Sequence, residues 1–333
     1  MTLRLKSCPI IFMCFLFAAS CTPKKESSAP ASPRTRGQSF FNYGWQNYLA
    51  SLKNIKTPSL NVDPRCRDPY VEVFNKSQID IRIVFGYKDT RPSRFVGDFF
   101  ERTALVEELV AACDTPEKLT CGFARELDDA DVFTKNLATP TKNVLIKLTL
   151  THASIGPDDQ ENRASSLQKF QSGLAEKTFL SGLQVADAVF YVGHSRDGGG
   201  PDFEAPRLTQ DGHVDYKSYA EQKKGIQKTL KALESRVKIK PLLLGFMSCT
   251  SQEHFAQDIV KDHKNIGLLS SRVLIYYTDA LENTLLGLNA FLRQDCAPEF
   301  SAALTTRSSH SKGINNEGFF ARTLIRTKKP SKK

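Results

Sequence analysis

The sequence contains none of the motifs that are typical of nucleotide or nucleic-acid binding. It has no Walker sequence, no zinc-finger, RRM or basic-zipper pattern, and no internal repeat. Charged residues make up only 25% of the chain and hydrophobic residues 40%, which excludes a disordered protein. His213, His254 and His263 lack the spacing of metal ligands. We therefore expect a folded protein that has no nucleic acid as a partner and needs no cofactor.

Positive charge is in excess and is partly concentrated at the two ends of the chain. The 333 residues carry a formal net charge of +10. The terminal basic residues are Lys24, Lys25, Arg34, Arg36, Arg322, Arg326, Lys328, Lys329, Lys332 and Lys333. Tails of this kind lie on anionic membrane or wall surfaces more often than they read nucleic acid.

The first 20 residues have the pattern of an export signal. Arg4 and Lys6 precede an apolar stretch over 9–17 that is too short to span a bilayer. The segment ends in small residues followed by Cys21, which resembles a bacterial lipobox. That resemblance implies that Cys21 is lipidated, that residues 1–20 are removed, and that the protein is anchored in the bacterial cell envelope, on the periplasmic face or at the cell surface. The alternative is an ordinary cleaved signal peptide. Residues 21–38 are polar and predict a flexible tether.

The number of cysteines supports export. Apart from the signal and the lipidated Cys21, five remain: Cys66, Cys113, Cys121, Cys249 and Cys296. Because five is odd, one thiol stays free even if the others pair. Cys113 and Cys121 flank a short turn and are the easiest pair, which makes Cys66 with Cys296 the second. Cys249 is then the free thiol, and a free thiol in an oxidising compartment is a liability unless it has a function.

Short apolar runs alternate with amphipathic segments, which predicts an α/β domain. The runs cover 79–86, 143–150, 188–193, 241–247 and 272–277, and they are typical of strands buried on both faces. The predicted fold is an open, mostly parallel sheet with helices on both faces. We expect this domain to span 79–300, after an N-terminal extension at 39–78 and before a C-terminal segment with a basic tail at 301–333. Residues 114–140 break the alternation and predict an insertion.

The helices between the runs have recognisable caps and faces. A helix over about 162–184 places Leu167, Phe170, Leu174 and Leu180 on one side, and another covers about 216–236. Asp279 with Glu282 predicts the cap of a helix that contains Leu285, Leu288 and Leu292.

Two of the predicted strands end in residues that can perform catalysis. His194 and Ser195 follow the strand that ends at 193, and Cys249 follows the strand that ends at 247. Thr250 with Glu253 predicts a capped helix directly after the thiol, and a helix N-terminus stabilises a thiolate. If the two strands are adjacent and parallel, His194 can share the thiol proton and later protonate a leaving amine. This combination favours acyl transfer with a cysteine nucleophile.

At these residues, VFYVGHS with His194 and LLLGFMSCTS with Cys249, the sequence resembles the caspase-like cysteine peptidases. The resemblance covers roughly 79–293 in strand order and these two blocks in detail. It implies that Cys249 is the nucleophile and His194 the general acid/base, and that backbone N–H groups of Cys249 and Ser195 form the oxyanion hole. It also implies a peptide or protein substrate. The family has Gly where this chain has Ser195, and Ser would strain a backbone that needs Gly.

Substrate specificity and metal binding have only candidate residues. Asp197, Asp202 and Asp279 are candidates for a pocket that would accept a basic side chain. Carboxylates on loops could contribute to a Ca²⁺ site, and they are Asp128, Asp129, Asp131, Asp158 and Asp159.

Two other functions remain open. GHSRDGG resembles the nucleophile elbow of a serine α/β-hydrolase, with Ser195 as nucleophile and Asp279 and His310 following in the right order. The residue two after the serine is Asp197 instead of glycine, and the GGGPDF that follows cannot begin a helix. The second alternative is a catalytically inactive caspase-like binding lipoprotein, and Ser195 is the main argument for it.

Overall fold

The structure of the protein is a computed structural model that describes residues 64–88, 96–237, 240–263, 265–296, 299–304 and 313–321. The predicted export signal, Cys21, the tether, His310 and the basic C-terminal tail lie outside the described residues. No helix within the described ranges has the length and apolar character needed to cross a membrane.

The described residues contain one eight-stranded sheet in the order β2-β3-β4-β1-β5-β6-β7-β8. The strands are β1 (Gln78–Phe85), β2 (Ala124–Arg125), β3 (Val132–Ala138), β4 (Asn143–His152), β5 (Ala188–Val192), β6 (Leu242–Met247), β7 (Ile266–Ser271) and β8 (Ile314–Glu317). The five central strands β4, β1, β5, β6 and β7 are parallel, and β2, β3 and β8 are antiparallel. The predicted insertion at 114–140 thus contains the antiparallel pair β2–β3 at one edge.

Helices cover both faces of the sheet, which confirms the predicted α/β class. They are α1 (Pro64–Phe74), α2 (Gly97–Val110), α3 (Asp159–Ala164), α4 (Leu167–Val185), α5 (Tyr216–Gln222), α6 (Lys224–Glu234), α7 (Gln257–Asp262), α8 (Tyr277–Leu292) and α9 (Glu299–Ala303). Alternate residues of β5 enter two separate cores, with Phe190 on one face and Tyr191 on the other. Residues of α1, α2, α8 and α9 complete the first core, and residues of α4, α6 and α7 complete the second.

The core extends beyond the predicted domain boundaries of 79 and 300. Tyr70 of α1 is buried, its ring packs on Phe291 and Phe319, and its hydroxyl donates to the Asp295 carbonyl at 2.6 Å. At the other end, β8 pairs with β7. Parts of both predicted flanking segments therefore belong to the same packed unit.

The cysteines of the described residues pair as predicted from their number and their spacing in the sequence. Cys66 lies beside Cys296 with 6.3 Å between their Cα atoms, and Cys113 lies beside Cys121 with 5.3 Å, both within the range for disulfides. Cys249 is free and half-buried. The first bond joins α1 to the segment after α8, and the second closes a short loop after α2.

The strand predicted at 272–277 is wrong. The fifth parallel strand is β7 at Ile266–Ser271, and residues 272–276 form a loop that leads into α8. The side chains of Leu274, Tyr276 and Tyr277 in this run are exposed. The apolar run at 272–276 lies on the surface, while the less apolar segment just before it, β7, pairs with β6. An apolar run alone therefore does not identify a strand.

Of the apolar face predicted for the helix at 162–184, only Leu180 packs against the core, and Leu167, Phe170 and Leu174 are exposed. The segment forms two helices, α3 and α4, and the core side of α4 consists of Ala175, Phe179 and Leu183. Leu167 and Phe170 instead point to solvent, with 65% and 72% of their surface exposed. Two apolar stripes share this helix, and the sequence pattern does not say which of them faces the sheet.

Candidate active site

The structure places His194 and Cys249 at the same edge of the sheet. β5 and β6 are adjacent and parallel, and their register pairs Val192 with Met247. His194 and Cys249 each lie two residues beyond this pair, at matching positions past the carboxyl ends of neighbouring strands. The crossover between the strands contains α5 and α6. The sequence prediction that these two residues share one sheet edge is therefore confirmed.

The edge is also where an open α/β sheet of this connectivity binds ligands. In chain order the five parallel strands lie as 2-1-3-4-5, so the direction of winding reverses between β1 and β5. Ligands of such sheets bind beyond the carboxyl ends of the strands near that reversal. His194 follows β5, one of the two strands at the reversal.

Cys249 lies between β6 and a helix, and the first turn of that helix differs from the capped α-helix that the sequence predicts. A π-helical turn at Gln252–Ala256 leads into α7, so the helix begins three residues after the thiol. Thr250 does not cap it. Its φ is +48°, in the left-handed region that β-branched residues rarely adopt, and its N–H donates to the Val273 carbonyl at 3.0 Å. Strained backbone and π-turns both concentrate at functional sites.

The Cys249 thiol has one described neighbour that affects its chemistry. Its Sγ lies 3.7 Å from the Ile275 carbonyl oxygen, at a distance where the S–H can donate. The side chain is half-buried, so solvent reaches the site.

The position of His194 is fixed by the buried hydroxyl of Tyr191. That hydroxyl donates to the His194 carbonyl at 2.9 Å and accepts from the Asp202 N–H at 3.0 Å. Gly193 is required here because a Cβ on it would lie 2.3 Å from the same hydroxyl. One buried side chain thus holds both ends of the loop that carries His194.

The loop after His194 is built around a buried arginine. Arg196 is fully buried, its Nε lies 3.1 Å from Asp202 Oδ2, and its Nη2 donates to the Tyr87 carbonyl at 3.1 Å. Its guanidinium also lies 5.5 Å from the centre of the Tyr219 ring. Burial raises the pKa of the Asp202 carboxyl, and Arg196 opposes that rise. The pair ties together the loops after β1 and β5 and helix α5.

Ser195 does not strain the backbone, contrary to the expectation from the sequence. Its φ is −74°, which any residue adopts, and the left-handed residues are Arg196, Asp197 and Gly198. Its residue surface is only 6% exposed, and a single turn of 3-10 helix follows it instead of an α-helix. These features give no support to Ser195 as the nucleophile of an α/β-hydrolase.

A second histidine, which the sequence analysis considered only as a metal ligand, lies near these loops. His254 is half-buried in the π-turn after Cys249, and its Nδ1 lies 3.2 Å from the position that a Cβ on Gly198 would take. Gly198 has φ +84°, so a glycine is favoured there on both grounds. The sequence did contain a signal for this residue. His254 lies five residues after Cys249, on the helix that was predicted to follow the thiol.

No family model, curated protein or solved structure matches the chain. What the site can do therefore rests on the chemistry of its own residues.

The three acidic candidates for a substrate pocket have different environments. Asp202 is bonded to Arg196 inside the protein, so a substrate cation would have to displace that guanidinium. Asp279 is almost fully buried in the first turn of α8, whose N-cap position is Tyr276, and so it is not the predicted cap. Asp197 is exposed on the loop after His194. Of the three, only Asp197 presents its side chain to solvent.

A cleft of about 210 Å³ lies next to the His194 loop, but neither His194 nor Cys249 lines it. Its lining includes Gly199, Asp202, Tyr219, Lys224 and Lys228. This cleft therefore lies beside the two candidate catalytic residues and does not contain them.

A pair of buried carboxylates that the sequence analysis did not assign to a site joins the loops after β1 and β4. Asp98 accepts from the N–H groups of Lys88 at 3.2 Å and Ser154 at 2.9 Å, and Glu101 pairs with the Lys88 ammonium at 2.5 Å. Burial raises the pKa of Asp98 to about 6, although the N–H of Ser154 opposes it. Because the folded pKa is raised, this group's contribution to stability is complete at low pH and is lost as pH rises through about 6.

The candidate calcium ligands are engaged in local structure. Asp158 caps α3, and Asp159 accepts from the Tyr87 hydroxyl at 2.7 Å and from Arg163 at 2.8 Å. Asp131 pairs with Arg102, while Asp128 and Asp129 are exposed nearby. Across the part of the chain that the structure describes, no group of three or more His, Cys, Asp or Glu side chains could hold a metal ion.

Proposed function

We propose that this protein is a membrane-anchored cysteine endopeptidase of caspase-like type, with Cys249 as nucleophile and His194 as general acid/base. One observation carries the proposal: the two residues occupy matching positions beyond adjacent parallel strands. The strand order and the helices on both faces are compatible with that fold. The substrate is a peptide or protein, and no cofactor takes part.

The reaction proceeds through an acyl-enzyme. The Cys249 Sγ forms a bond to the scissile carbonyl carbon while its proton passes to the His194 imidazole. The carbonyl electron pair moves onto oxygen, where the N–H groups of Ser195 and Cys249 stabilise the charge. The C–N bond then breaks, and the imidazolium gives its proton to the leaving amine. Water attacks the thioester with His194 as base, which releases the acid and restores the thiol.

The surroundings of the two residues support this assignment. The loop that carries His194 is held by buried bonds from Tyr191 and by the Arg196–Asp202 pair, which fix the backbone from which the imidazole projects. Cys249 is a free thiol in a chain whose other described cysteines lie in two pairs. In an exported protein, a pairing scheme that leaves one half-buried thiol free favours a chemical role for that thiol.

A second candidate function is a binding lipoprotein on the same fold, without catalysis. The contact of the Cys249 Sγ with the Ile275 carbonyl oxygen at 3.7 Å favours it, since it engages the sulfur in local structure.

Peptide hydrolysis that depends on a thiol is the expected result of the decisive assay. The full chain is incubated with a pooled peptide-amide library that carries Arg, Lys, Asp or Asn before the scissile bond, under reducing, calcium-supplemented conditions. New amino termini should appear, and prior treatment with iodoacetamide should abolish them because alkylation removes the only free nucleophilic sulfur of the described residues. Hydrolysis that survives alkylation contradicts the cysteine mechanism, and no hydrolysis at all favours the binding lipoprotein.

Lipid attachment at Cys21 has its own test. The expected result is that metabolic palmitate labelling marks the natural chain and not Cys21→Ala, since the lipobox pattern ends at that residue. A matched control is Cys14→Ala, which changes a cysteine inside the signal. Equal labelling of the natural chain and Cys21→Ala would contradict lipidation and leave the ordinary signal peptide.

A further inference from the structure

The Cys113–Cys121 bond joins an exposed cysteine to a buried one. Cys113 is exposed, whereas Cys121 is fully buried. The next residue, Gly122, leaves room beside the exposed sulfur, because a Cβ on it would lie 3.3 Å from the Cys113 Sγ. A depression of about 330 Å³ adjoins this segment, and it is lined by Gly122, Ala124, Thr134, Lys135, Asn136 and Leu145. An external thiol therefore has access to Cys113 and not to Cys121.

Lys135 of β3 places a positive charge beside the exposed sulfur. Its ammonium group has three N–H donors. The nitrogen lies 3.0 Å from the Leu119 carbonyl oxygen, 2.7 Å from the Cys121 carbonyl oxygen and 3.8 Å from the Cys113 Sγ. Burial lowers the pKa of Lys135, so its charged form gains from an anion nearby. Because a cation next to a cysteine stabilises the thiolate, Lys135 favours the reduced form of Cys113.

The buried sulfur and the loop charges are also compatible with a reduced pair. The Lys118 carbonyl oxygen lies 3.1 Å from the Cys121 Sγ, and it can accept from the S–H that reduction creates. Asp114 is the carboxylate next to Cys113 in the chain. It is exposed and lies 3.9 Å from the Lys118 ammonium, which offsets part of its negative charge.

Bonds other than the disulfide hold the loop between the two cysteines. The Asn289 side chain of α8 accepts from the Leu119 N–H at 2.7 Å and donates to the Glu117 carbonyl at 3.2 Å. The Lys118 ammonium pairs with Glu108 of α2, and both side chains are buried. These contacts keep the two sulfurs neighbours after the S–S bond is broken, so the bond can form again without refolding.

The other described disulfide has a different environment. Cys66 is fully buried in the first core, and Cys296 packs against the same core. Apolar surroundings disfavour a thiolate and exclude an external thiol. This bond therefore serves as an internal reference for the exposed one.

We infer that Cys113–Cys121 is a redox-active disulfide that exchanges with an external dithiol. One thiolate of the dithiol bonds to the Cys113 Sγ, and the Cys121 sulfur leaves with the S–S electron pair and takes up a proton. The second sulfur of the dithiol loses its proton and bonds to the first, and Cys113 leaves as a thiolate beside Lys135. The dithiol becomes a cyclic disulfide, and the protein gains two electrons. This inference does not depend on the proposed peptidase activity.

The order of reduction in the natural chain is the first test. The full chain is equilibrated with mixtures of reduced and oxidised dithiothreitol, alkylated, and mapped by mass spectrometry. Cys113 and Cys121 should become alkylated at a ratio of reduced to oxidised reagent about tenfold lower than the ratio that Cys66 and Cys296 need. The chain reduced only at Cys113–Cys121 should keep its circular dichroism. Reduction of Cys66–Cys296 first, reduction of both bonds at one ratio, or loss of the fold at the first step would each overturn the inference.

The charge of Lys135 is the second test. Lys135→Gln removes the cation and keeps N–H donors, so half-reduction of Cys113–Cys121 should need a ratio about threefold higher, the effect of a partly exposed ion pair. The matched control is Lys147→Gln, at an exposed lysine on the neighbouring strand β4, and it should behave as the natural chain does. An unchanged ratio in Lys135→Gln, or an equal change in the control, would overturn the inference because exposure alone would then account for the exchange.

Discussion

Cys249→Ala is expected to abolish peptide-amide hydrolysis, and His194→Ala to lower kcat/KM by about 10³-fold. The first removes the atom that bonds to the substrate. The second removes the group that accepts the thiol proton and protonates the leaving amine. Because the two residues act as one unit, the double variant should be no worse than Cys249→Ala alone. The measurement is the release of amino termini from the peptide-amide library by each purified variant.

Four control variants, at three residues, make this result specific to the pair. His213→Ala, at an exposed histidine next to Asp211, should retain full activity. Ser195→Ala and Ser195→Gly should both be mild, because Ser195 contributes only a backbone N–H and its φ of −74° does not require glycine. His254→Ala tests whether the neighbouring histidine is the true base. Activity of Cys249→Ala equal to that of the natural chain, or a loss in His254→Ala as large as in His194→Ala, would show that the assignment is wrong. A dead Ser195→Ala with an active Cys249→Ala would favour the serine hydrolase.

The edge that carries the candidate site could be predicted from the sequence because the strands before it are unambiguous. Residues 188–192 and 242–247 are apolar throughout and buried on both faces, as strands in the middle of a parallel sheet must be. Once their ends are known, the positions of His194 and Cys249 follow from chain order alone. The same reasoning fails at 272–277, where the apolar run forms an exposed loop.

The surroundings of the two residues could not be predicted, because they depend on contacts between distant segments. Arg196 is a charged residue in a glycine-rich loop, and nothing local indicates that its guanidinium is fully buried against Asp202 and Tyr219. The cap expected at Thr250 is absent because the Thr250 N–H donates to Val273, 23 residues further along the chain. Local patterns indicate which backbone groups need partners, and only the tertiary structure shows where the partners come from.

Loss of the Cys66–Cys296 bond is expected to lower the free energy of unfolding by about 5 kcal/mol, and loss of the Cys113–Cys121 bond by about 2.5 kcal/mol. The difference follows from the segments that the bonds close, which have sequence separations of 230 and 8 residues. A longer closed loop removes more conformational freedom from the unfolded chain. The measurement is urea unfolding of Cys66→Ala with Cys296→Ala, compared with Cys113→Ala with Cys121→Ala and with the natural chain.

Alanine at Cys66 also removes packing from a fully buried position, so the cross-link has to be tested without changing that side chain. The variant Cys113→Ala with Cys121→Ala retains Cys66–Cys296 as its only described disulfide, and unfolding it with and without a reductant isolates that bond. Reduction should lower its midpoint by more than reduction lowers the midpoint of Cys66→Ala with Cys296→Ala. Equal shifts in the two variants would mean that α1 is held to the end of α8 by the packing of Tyr70 on Phe291 and Phe319, and not by the covalent bond.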